Sequence, residues 1–285
     1  DIAAALQTRL EEIVLKQLEK AKKKFQFKKL CMSGGVALNC SLNGKIEQSK
    51  LFEEIFIVPA SGDDGCAIGA CYLAYKDMNK KFVFEKDLNF YKGSIFNDQE
   101  IETSIKNSGF KYQRPKNLSD FVSELLEKGK IVAWFQGGAE FGPRALGNRS
   151  IICKPFPESM RDHLNKRVKF REEFRPFAPS VLDKYQKDFF ELDQDSPHML
   201  IATKVKNDKK NLIPAVVHID DTCRVQTVKK NINEKFYDLI ESFNKLTKIP
   251  VLLNTSFNVK GQPIVNTPSE ALETFKSTNI DVLAI

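Results

Sequence analysis

Residues 30–48, LCMSGGVALNCSLNGKIEQ, place a short apolar strand directly before a glycine turn and a helical stretch. Residues 55–78 repeat this order, because an apolar run leads into the turn SGDDG at 61–65 and then into a second helical stretch. Strands that alternate with helices across short glycine turns are typical of α/β proteins. These two units therefore predict an α/β fold.

The rest of the chain extends this pattern. A long helix is predicted at 2–25, where apolar residues recur every three or four positions. Further helices are predicted at 98–107, 118–127, 160–168 and 233–246, and strands at 130–135, 179–182, 199–205, 223–228, 249–253 and 281–285. The stretch 77–97 is rich in lysine and asparagine and has weaker periodicity. We therefore predict two domains, 1–90 and 91–285.

Composition excludes several classes of protein. Of 285 residues, 42% are hydrophobic and 28% are charged, which excludes a disordered or collagen-like chain. No apolar run approaches the roughly 20 residues of a membrane-spanning helix, and the first residues do not resemble a signal peptide. Lysine and arginine exceed acidic residues by 7, which favours anionic ligands. We expect a soluble, cytoplasmic protein without a membrane partner.

The six cysteines contain no C-x-x-C pair and no zinc-ribbon spacing. Each lies in or beside an apolar run, so the sequence predicts buried thiols in a reducing compartment. The three histidines are far apart, and the chain has no H-x-x-x-H motif.

Nine basic residues and four acidic ones lie between positions 144 and 175. A solvated basic face would explain such a run. Arg144, however, lies in a loop with glycine and proline, and Arg175 lies in FRPFAP, which we expect to be substantially buried. A buried guanidinium group needs an anionic partner. With Arg224 on a predicted strand, these arginines predict a phosphate or carboxylate site.

Three polar turns have two interpretations each. Residues 254–258 (NTSFN) follow a buried strand, where small polar groups suit either ligand binding or a capped turn. The glycines at 34 and 35 precede a helix, which suits a phosphate or an ordinary turn. Asp63 or Asp64 would either cap the next helix or bind a cation.

Six collinear segments together resemble the O-carbamoyltransferases of nodulation-factor and antibiotic biosynthesis. They are 33–39 (SGGVALN), 62–70 (GDDGCAIGA), 141–150 (FGPRALGNRS), 171–179, 224–228 (RVQTV) and 253–258 (LNTSFN). The resemblance implies that 1–90 is the second half of an actin/sugar-kinase-like ATPase domain. It implies that 91–285 is an α/β domain with a twisted mixed sheet, similar to threonylcarbamoyl-adenylate synthase.

The resemblance also implies an activity. The second domain would activate carbamoyl phosphate with ATP, accompanied by Mg²⁺, to carbamoyl adenylate. The first domain would transfer the carbamoyl group to an acceptor hydroxyl with a bound Fe²⁺ ion, and a homodimer is a reasonable expectation. By motif position, the residues that act on carbamoyl phosphate and the nucleotide phosphates would be Arg144, Lys169, Arg175, Arg224, His198, Asn254 and Ser256. The resemblance places Gly34, Gly35 and Asn39 in the nucleotide pocket of the transfer domain, and Asp63, before Asp64, at the metal.

The chain departs from this family pattern in one respect. The iron site of the family also needs an H-x-x-x-H pair, which is absent here, and the phosphate-binding acidic motifs of the first half of the domain are missing too. We therefore interpret the chain as a fragment with an activation domain and half of a transfer site. Two alternatives remain: an RNA-associated protein like those of tRNA modification, which the small net charge and the lack of an aromatic platform disfavour, and a non-catalytic nucleotide- or phosphate-binding module.

Overall fold

The repeated strand–turn–helix order is present in the computed structural model, which describes residues 1–78, 89–172 and 174–285. The first of these ranges, here called the N-terminal segment, contains helix α1 (Ile2–Phe25), strand β1 (Lys29–Met32), a 3₁₀ turn (Gly35–Leu38), helix α2 (Cys40–Gln48), strand β2 (Glu54–Ile57) and helix α3 (Gly65–Met78). Strands β1 and β2 pair in parallel. Because the Gly34 N–H donates to the Ser61 carbonyl at 2.8 Å, the two glycine turns lie side by side.

A six-stranded mixed sheet forms the larger part of the fold. The remaining strands are β3 (Val132–Phe135), β4 (Arg149–Cys153), β5 (Ala178–Leu182), β6 (Ala202–Lys204), β7 (Thr222–Arg224), β8 (Gln226–Val228), β9 (Val251–Ser256) and β10 (Val282–Ala284). Their order in the sheet is β10-β3-β4-β9-β5-β8, and β6 pairs with β7 separately. Pairs β10–β3 and β5–β8 are parallel, whereas the other pairs of this sheet are antiparallel. The predictions of an α/β fold and a mixed sheet are confirmed.

The described residues form six further helices, of which the second, fifth and sixth pack on this sheet. They are α4 (Asp98–Ser108), α5 (Leu118–Glu127), α6 (Ser159–Leu164), α7 (Gln186–Phe189), α8 (Glu234–Thr247) and α9 (Pro268–Lys276). Helix α8 buries Phe236, Leu239 and Phe243, and α5 buries Leu126. Helices α4, α5, α8 and α9 each begin at a side-chain cap that accepts a backbone N–H, which satisfies one of the donors left free at a helix start.

The N-terminal segment packs directly on the second part of the chain. The Asn43 side chain donates to the Leu200 carbonyl at 2.8 Å. Gln194 exchanges two hydrogen bonds with the Ile55 backbone, at 3.0 and 2.9 Å. A Cβ atom at Gly44 would lie 2.0 Å from the Ala202 carbonyl oxygen, so this contact requires glycine. One apolar core therefore runs from α2 into the main sheet. The predicted domain boundary near residue 90 remains a prediction, and residues 79–88 of the stretch around it lie outside the described ranges.

Two features at the start of the chain differ from expectation. The apolar stripe of α1 is largely exposed, since Ile2 is 88% and Leu6 72% accessible, and only its middle, near Val14 and Leu18, reaches the core. Helix α3 carries Gly65, Ala67, Gly69, Ala70 and Ala74, a pattern of small side chains that predicts a closely packed neighbour, but none of its residues is buried by the described part of the chain. Within the same ranges, every helix is either too short or too polar to span a lipid bilayer.

The prediction of buried cysteines is wrong for half of them. Cys153 and Cys223 lie in core strands and are buried, but Cys31, Cys66 and Cys71 are exposed. The exposed thiols belong to α3, which buries none of its residues, and to β1, where Leu30 and Met32 pack against the core and Cys31 lies on the opposite face. An apolar neighbourhood in sequence therefore did not indicate burial here.

Candidate anion-binding site

The loop between β3 and β4 is organised by one carboxylate. Glu140 Oε1 accepts the backbone N–H groups of Leu146, Asn148 and Arg149, at 2.7, 2.8 and 3.1 Å. The loop closes at Gly147, whose φ of +103° and tight contact with Phe236 exclude a side chain. These contacts fix the backbone on both sides of the turn that carries Arg144.

Arg149 has a structural role in this loop. It is 1% exposed and donates to the carbonyls of Gln136, Gly137 and Asn148, each at 3.1 Å, and of Ser94 at 2.9 Å. Its guanidinium carbon also lies 3.6 Å from the centre of the Phe135 ring. Burial lowers the pKa of Arg149 to about 10. Both terminal nitrogens of this arginine are therefore bound by backbone carbonyls, and only its Nε lacks a partner.

Three other arginines form a cluster without anionic partners. Burial is the main cause of the lowered pKa of Arg144, Arg171 and Arg224, and for Arg224, which falls to about 10, repulsion from Arg144 and Arg171 adds to it. None of the three pairs with a carboxylate of the described residues, and the Nε atom of each is buried without a hydrogen-bond partner. Arg171 lies over the Phe177 ring at 4.3 Å and donates one hydrogen bond to the Pro176 carbonyl.

Lys169 adjoins this cluster on a turn of π-helix that follows α6. Its Nζ donates to the Ser256 carbonyl at 2.8 Å, and to Asn258 Oδ1 and the Asn258 carbonyl at 2.8 and 2.9 Å. Lys169 is 5% exposed, and burial, followed by repulsion from Arg171, lowers its pKa to about 7. We call Arg144, Lys169, Arg171 and Arg224 the cationic site.

Asn254 lies on β9 next to the same residues. Its Nδ2 donates to Ser180 Oγ at 3.0 Å, to Gln226 Oε1 at 3.1 Å and to the Ala145 carbonyl at 3.4 Å. Asn254 is 1% exposed, and its Oδ1 is buried without a partner. Ser256, two residues further on, donates to Asn258 Oδ1 at 2.7 Å and contacts Lys169.

The structure does not bury Arg175 as expected. Its side chain is 55% exposed and pairs with Glu172 at 3.2 Å. The preceding Phe174 is 83% exposed, so the apolar residues around Arg175 do not cover it. Arg175 still contributes to the lowered pKa of Arg171, which places it at the edge of the cationic site.

His198 lies on a different cavity, of about 490 Å³, which is lined by β2, the segment around 193–201 and residues 227–229. The edge of its ring meets Phe90 at 5.2 Å between centroids. Burial lowers the pKa of His198 to about 4, so the imidazole is neutral at pH 7. A neutral ring suits a nucleoside better than a phosphate.

The predicted residues of the N-terminal segment lie at its two glycine turns. Gly34, at φ +92°, and Gly35 face open space. Asn39 Oδ1 caps α2 by accepting the Leu42 N–H at 3.0 Å, and Asn39 Nδ2 donates to Gln7 at 2.8 Å. Asp63 is exposed, and the described residues contain no group of three side chains that could hold a metal. These residues therefore supply no complete iron site, and the role of Asp63 stays a prediction.

Sequence reasoning missed Cys40 at the cationic site. Cys40 is the first residue of α2 and interacts with both Arg144 and Arg224, and these interactions oppose the lowering of their pKa values. The N-terminal segment therefore forms one side of the site. Arg171 was also missed as a site residue, although it is in the basic run. The sequence feature that could have identified it is Phe177, six residues further along, whose ring lies against the Arg171 guanidinium group.

Two family models match this chain. Residues 123–285 match a family model described as carbamoyltransferase C-terminus, and residues 1–72 match carbamoyltransferase N-terminus. The chain belongs to the carbamoyltransferase family. The resemblance inferred from the six segments is thereby confirmed at the level of the family.

Relatives of this carbamoyltransferase chain are longer proteins. Nodulation protein NolO of Bradyrhizobium diazoefficiens is 40% identical over 100% of the chain, which covers 53% of that protein. MJ1058, an uncharacterized protein of Methanocaldococcus jannaschii, is 37% identical over 100% of the chain and 48% of its own length. Nodulation protein U of Rhizobium tropici is 32% identical over 92% of the chain and 44% of its own length. The chain spans about half the length of these curated relatives.

Solved structures resemble the carbamoyltransferase chain in part. Full-length HypF in a phosphate- and nucleotide-bound form has a TM-score of 0.42 and 18% identity, over 81% of this chain and 36% of that one. YciO of E. coli has a TM-score of 0.42 and 12% identity, over 60% of this chain and 79% of that one.

Proposed function

We propose that residues 91–285 activate carbamoyl phosphate with ATP, and that the cationic site holds the phosphate groups. The observation that carries this proposal is that Arg144, Arg171 and Arg224 lie largely buried and repel one another, while none of them pairs with a carboxylate of the described residues. Leaving guanidinium groups desolvated and close to one another is costly, and a dianionic ester would offset both costs. Arginine is suited to this because its planar fork binds phosphate in a bidentate way.

The proposed reaction consumes one water molecule. Water cleaves the bond between the carbamoyl group and phosphate, which leaves as inorganic phosphate, and carbamate remains. A carbamate oxygen then attacks the α-phosphorus of ATP, pyrophosphate leaves, and carbamoyl adenylate forms. The cationic site would neutralise the departing phosphate charges and align the attacking oxygen. Mg²⁺ would enter with ATP on the nucleotide's own phosphates.

Lys169 and His198 have different proposed roles. The bound dianion would favour the charged form of Lys169, whose pKa is lowered to about 7 in the absence of ligand. The neutral His198 and the aromatic ring of Phe90 would contact the nucleoside in the cavity beside them. Arg175 lies at the exposed edge of the cationic site, so it would contact only the outer end of a bound ligand.

We further propose that residues 1–90 belong to a transfer domain of the actin/sugar-kinase type, which passes the carbamoyl group to an acceptor hydroxyl. The match of residues 1–72 to the N-terminal family model supports this assignment. Gly34, Gly35 and Asn39 would line its nucleotide pocket. Because the described residues do not supply a complete iron site at Asp63, we derive no step through a metal there.

Isotope exchange tests the activation step. In the full-length protein, radiolabelled pyrophosphate should enter ATP only when carbamoyl phosphate is present. Arg144→Ala and Arg224→Ala should abolish this exchange. The control Arg114→Ala, which removes an exposed arginine paired with Asp98 and Glu102, should leave it unchanged. Exchange that needs no carbamoyl phosphate, or that survives both site variants, would refute the proposal. Mass spectrometry of products formed with a panel of hydroxylated acceptors then tests the transfer step.

A further inference from the structure

The hydrogen bonds around Asn254 have a fixed direction. The Leu146 carbonyl can only accept, and it accepts from Gln226 Nε2 at 2.7 Å. This contact orients the Gln226 amide, so Gln226 Oε1 must act as the acceptor for Ser180 Oγ at 2.6 Å and for Asn254 Nδ2 at 3.1 Å. The amide of Asn254 is thereby oriented as well: its nitrogen faces Gln226, and its Oδ1 remains without a donor.

This unpartnered oxygen lies among the residues of the cationic site. The Ala145 carbonyl that contacts Asn254 belongs to the residue after Arg144. Ser256, which contacts Lys169, follows Asn254 by two positions on the same strand, β9. Residues two apart on a strand point to the same face of a sheet. Asn254 therefore lies on the face of β9 that Ser256 presents to Lys169, and it also contacts the backbone next to Arg144.

A ligand that satisfies this arrangement needs both a negative charge and an N–H or O–H donor. The dianionic phosphate group of an ester supplies the charge but no proton to donate. The amino group of a carbamoyl ester supplies the donor, whereas the methyl group of an acetyl ester does not. A phosphate ester without such a donor would leave Asn254 Oδ1 buried and unpaired, which is unfavourable.

We propose that Asn254 selects carbamoyl over acetyl phosphate by accepting a hydrogen bond from the carbamoyl amino group. This inference rests on the proposed function of the cationic site and adds a specificity-determining residue to it. A site built to bind a substrate N–H discriminates strongly against an analogue that lacks it, because its own buried acceptor is then unpaired.

Two phosphonates form a matched pair of probes for this inference. Phosphonoacetamide and acetonylphosphonate carry the amino and the methyl group, respectively, on the same carbonyl–methylene–phosphonate frame, and neither can lose phosphate by hydrolysis. Calorimetry with the full-length protein should give about ten- to hundredfold tighter binding of phosphonoacetamide, as expected for one buried acceptor left unpaired. In Asn254→Ala this ratio should fall to about one, while the affinity for pyrophosphate stays within about threefold.

The outcomes separate this inference from the proposed function. Equal binding of the two phosphonates by the wild-type protein, with loss of both in Arg224→Ala, would overturn the role of Asn254 and keep the phosphate site. Failure of the wild-type protein to bind either phosphonate or pyrophosphate would overturn both proposals. If Asn254→Ala does not fold, the wild-type ratio alone decides.

Discussion

Cys40 lies against the guanidinium group of Arg224, so a residue of the N-terminal segment contacts the cationic site of the main sheet. The contact places a thiol of intermediate exposure where a bound phosphate would cover it. The other cysteines provide controls within the same chain, because three are exposed elsewhere and two are buried.

Ligand protection of Cys40 is the first prediction. Pyrophosphate or phosphonoacetamide should slow alkylation of Cys40 by iodoacetamide at least fivefold, because the occupied site shields the thiol. Peptide mass spectrometry would follow each cysteine separately. Labelling of Cys31, Cys66 and Cys71 should be unaffected. Unaltered labelling of Cys40 at saturating ligand would place the anion elsewhere.

The second prediction concerns two buried arginines with opposite effects on stability. Arg224→Met should raise the free energy of unfolding by about 1–2 kcal/mol without ligand, because it removes a desolvated cation that Arg144 and Arg171 repel. The same variant should lose the stabilisation that pyrophosphate gives to the wild-type protein, which is about 2.7 kcal/mol at a hundred times the dissociation constant.

Arg149→Met is the matched comparison for this prediction. It removes the donors for four backbone carbonyls, so the free energy of unfolding should fall by about 3–5 kcal/mol. Urea denaturation of both variants, with and without pyrophosphate, measures these effects. A similar loss of stability in both variants would show that Arg224 is structural.

The contrast between these arginines shows what the sequence could predict. Arg144 and Arg224 were predicted as site residues from the loop and the strand that carry them. Arg149 lies in the same loop, five residues after Arg144, so the sequence alone does not separate its structural role from theirs. Only its four carbonyl partners distinguish it, and these come from three separate stretches of chain. The burial expected for Arg175 failed for the same reason, because tertiary contacts determine whether neighbouring apolar residues cover a side chain.

Local elements were more predictable than these contacts. Helix α5 was predicted with its observed bounds, since its apolar residues follow the helical period and Asn117 caps its start. Strand β4 was missed because its first residues, Arg149 and Ser150, are polar and follow a glycine-rich loop. Helix α9 was also missed, although Thr267 and Glu270 form a capping box that was visible in the sequence.

The third prediction is a pH dependence caused by Lys169. Burial lowers its pKa to about 7 in the folded protein, whereas an unfolded lysine titrates near 10.4. Between these values the unfolded chain binds more protons, so Lys169 destabilises the fold at pH 7 and this penalty shrinks as the pH rises. The free energy of unfolding of the wild-type protein should therefore gain up to about 1.4 kcal/mol per pH unit relative to Lys169→Met.

Denaturation of both proteins between pH 7 and 9 would test this dependence, because the difference between them cancels the titration of other groups. Phosphonoacetamide should also bind more weakly to the wild-type protein as the pH rises above 7, since Lys169 then loses its proton. Parallel stability curves for the two proteins would mean that Lys169 stays charged throughout this range.

The fourth prediction tests whether Glu140 positions Arg144. Glu140→Ala leaves three backbone N–H groups without their acceptor, so it should lower the free energy of unfolding by about 2–4 kcal/mol and weaken phosphonoacetamide binding at least tenfold. In a double-mutant cycle with Arg144→Ala, the two losses of affinity should be strongly non-additive, because Glu140 acts through the loop that carries Arg144. Glu140→Gln retains one oxygen and should be intermediate in both measurements. A carboxylate that faced the ligand directly would repel it, and Glu140→Gln would then bind phosphonoacetamide more tightly than the wild-type protein, which would contradict a positioning role.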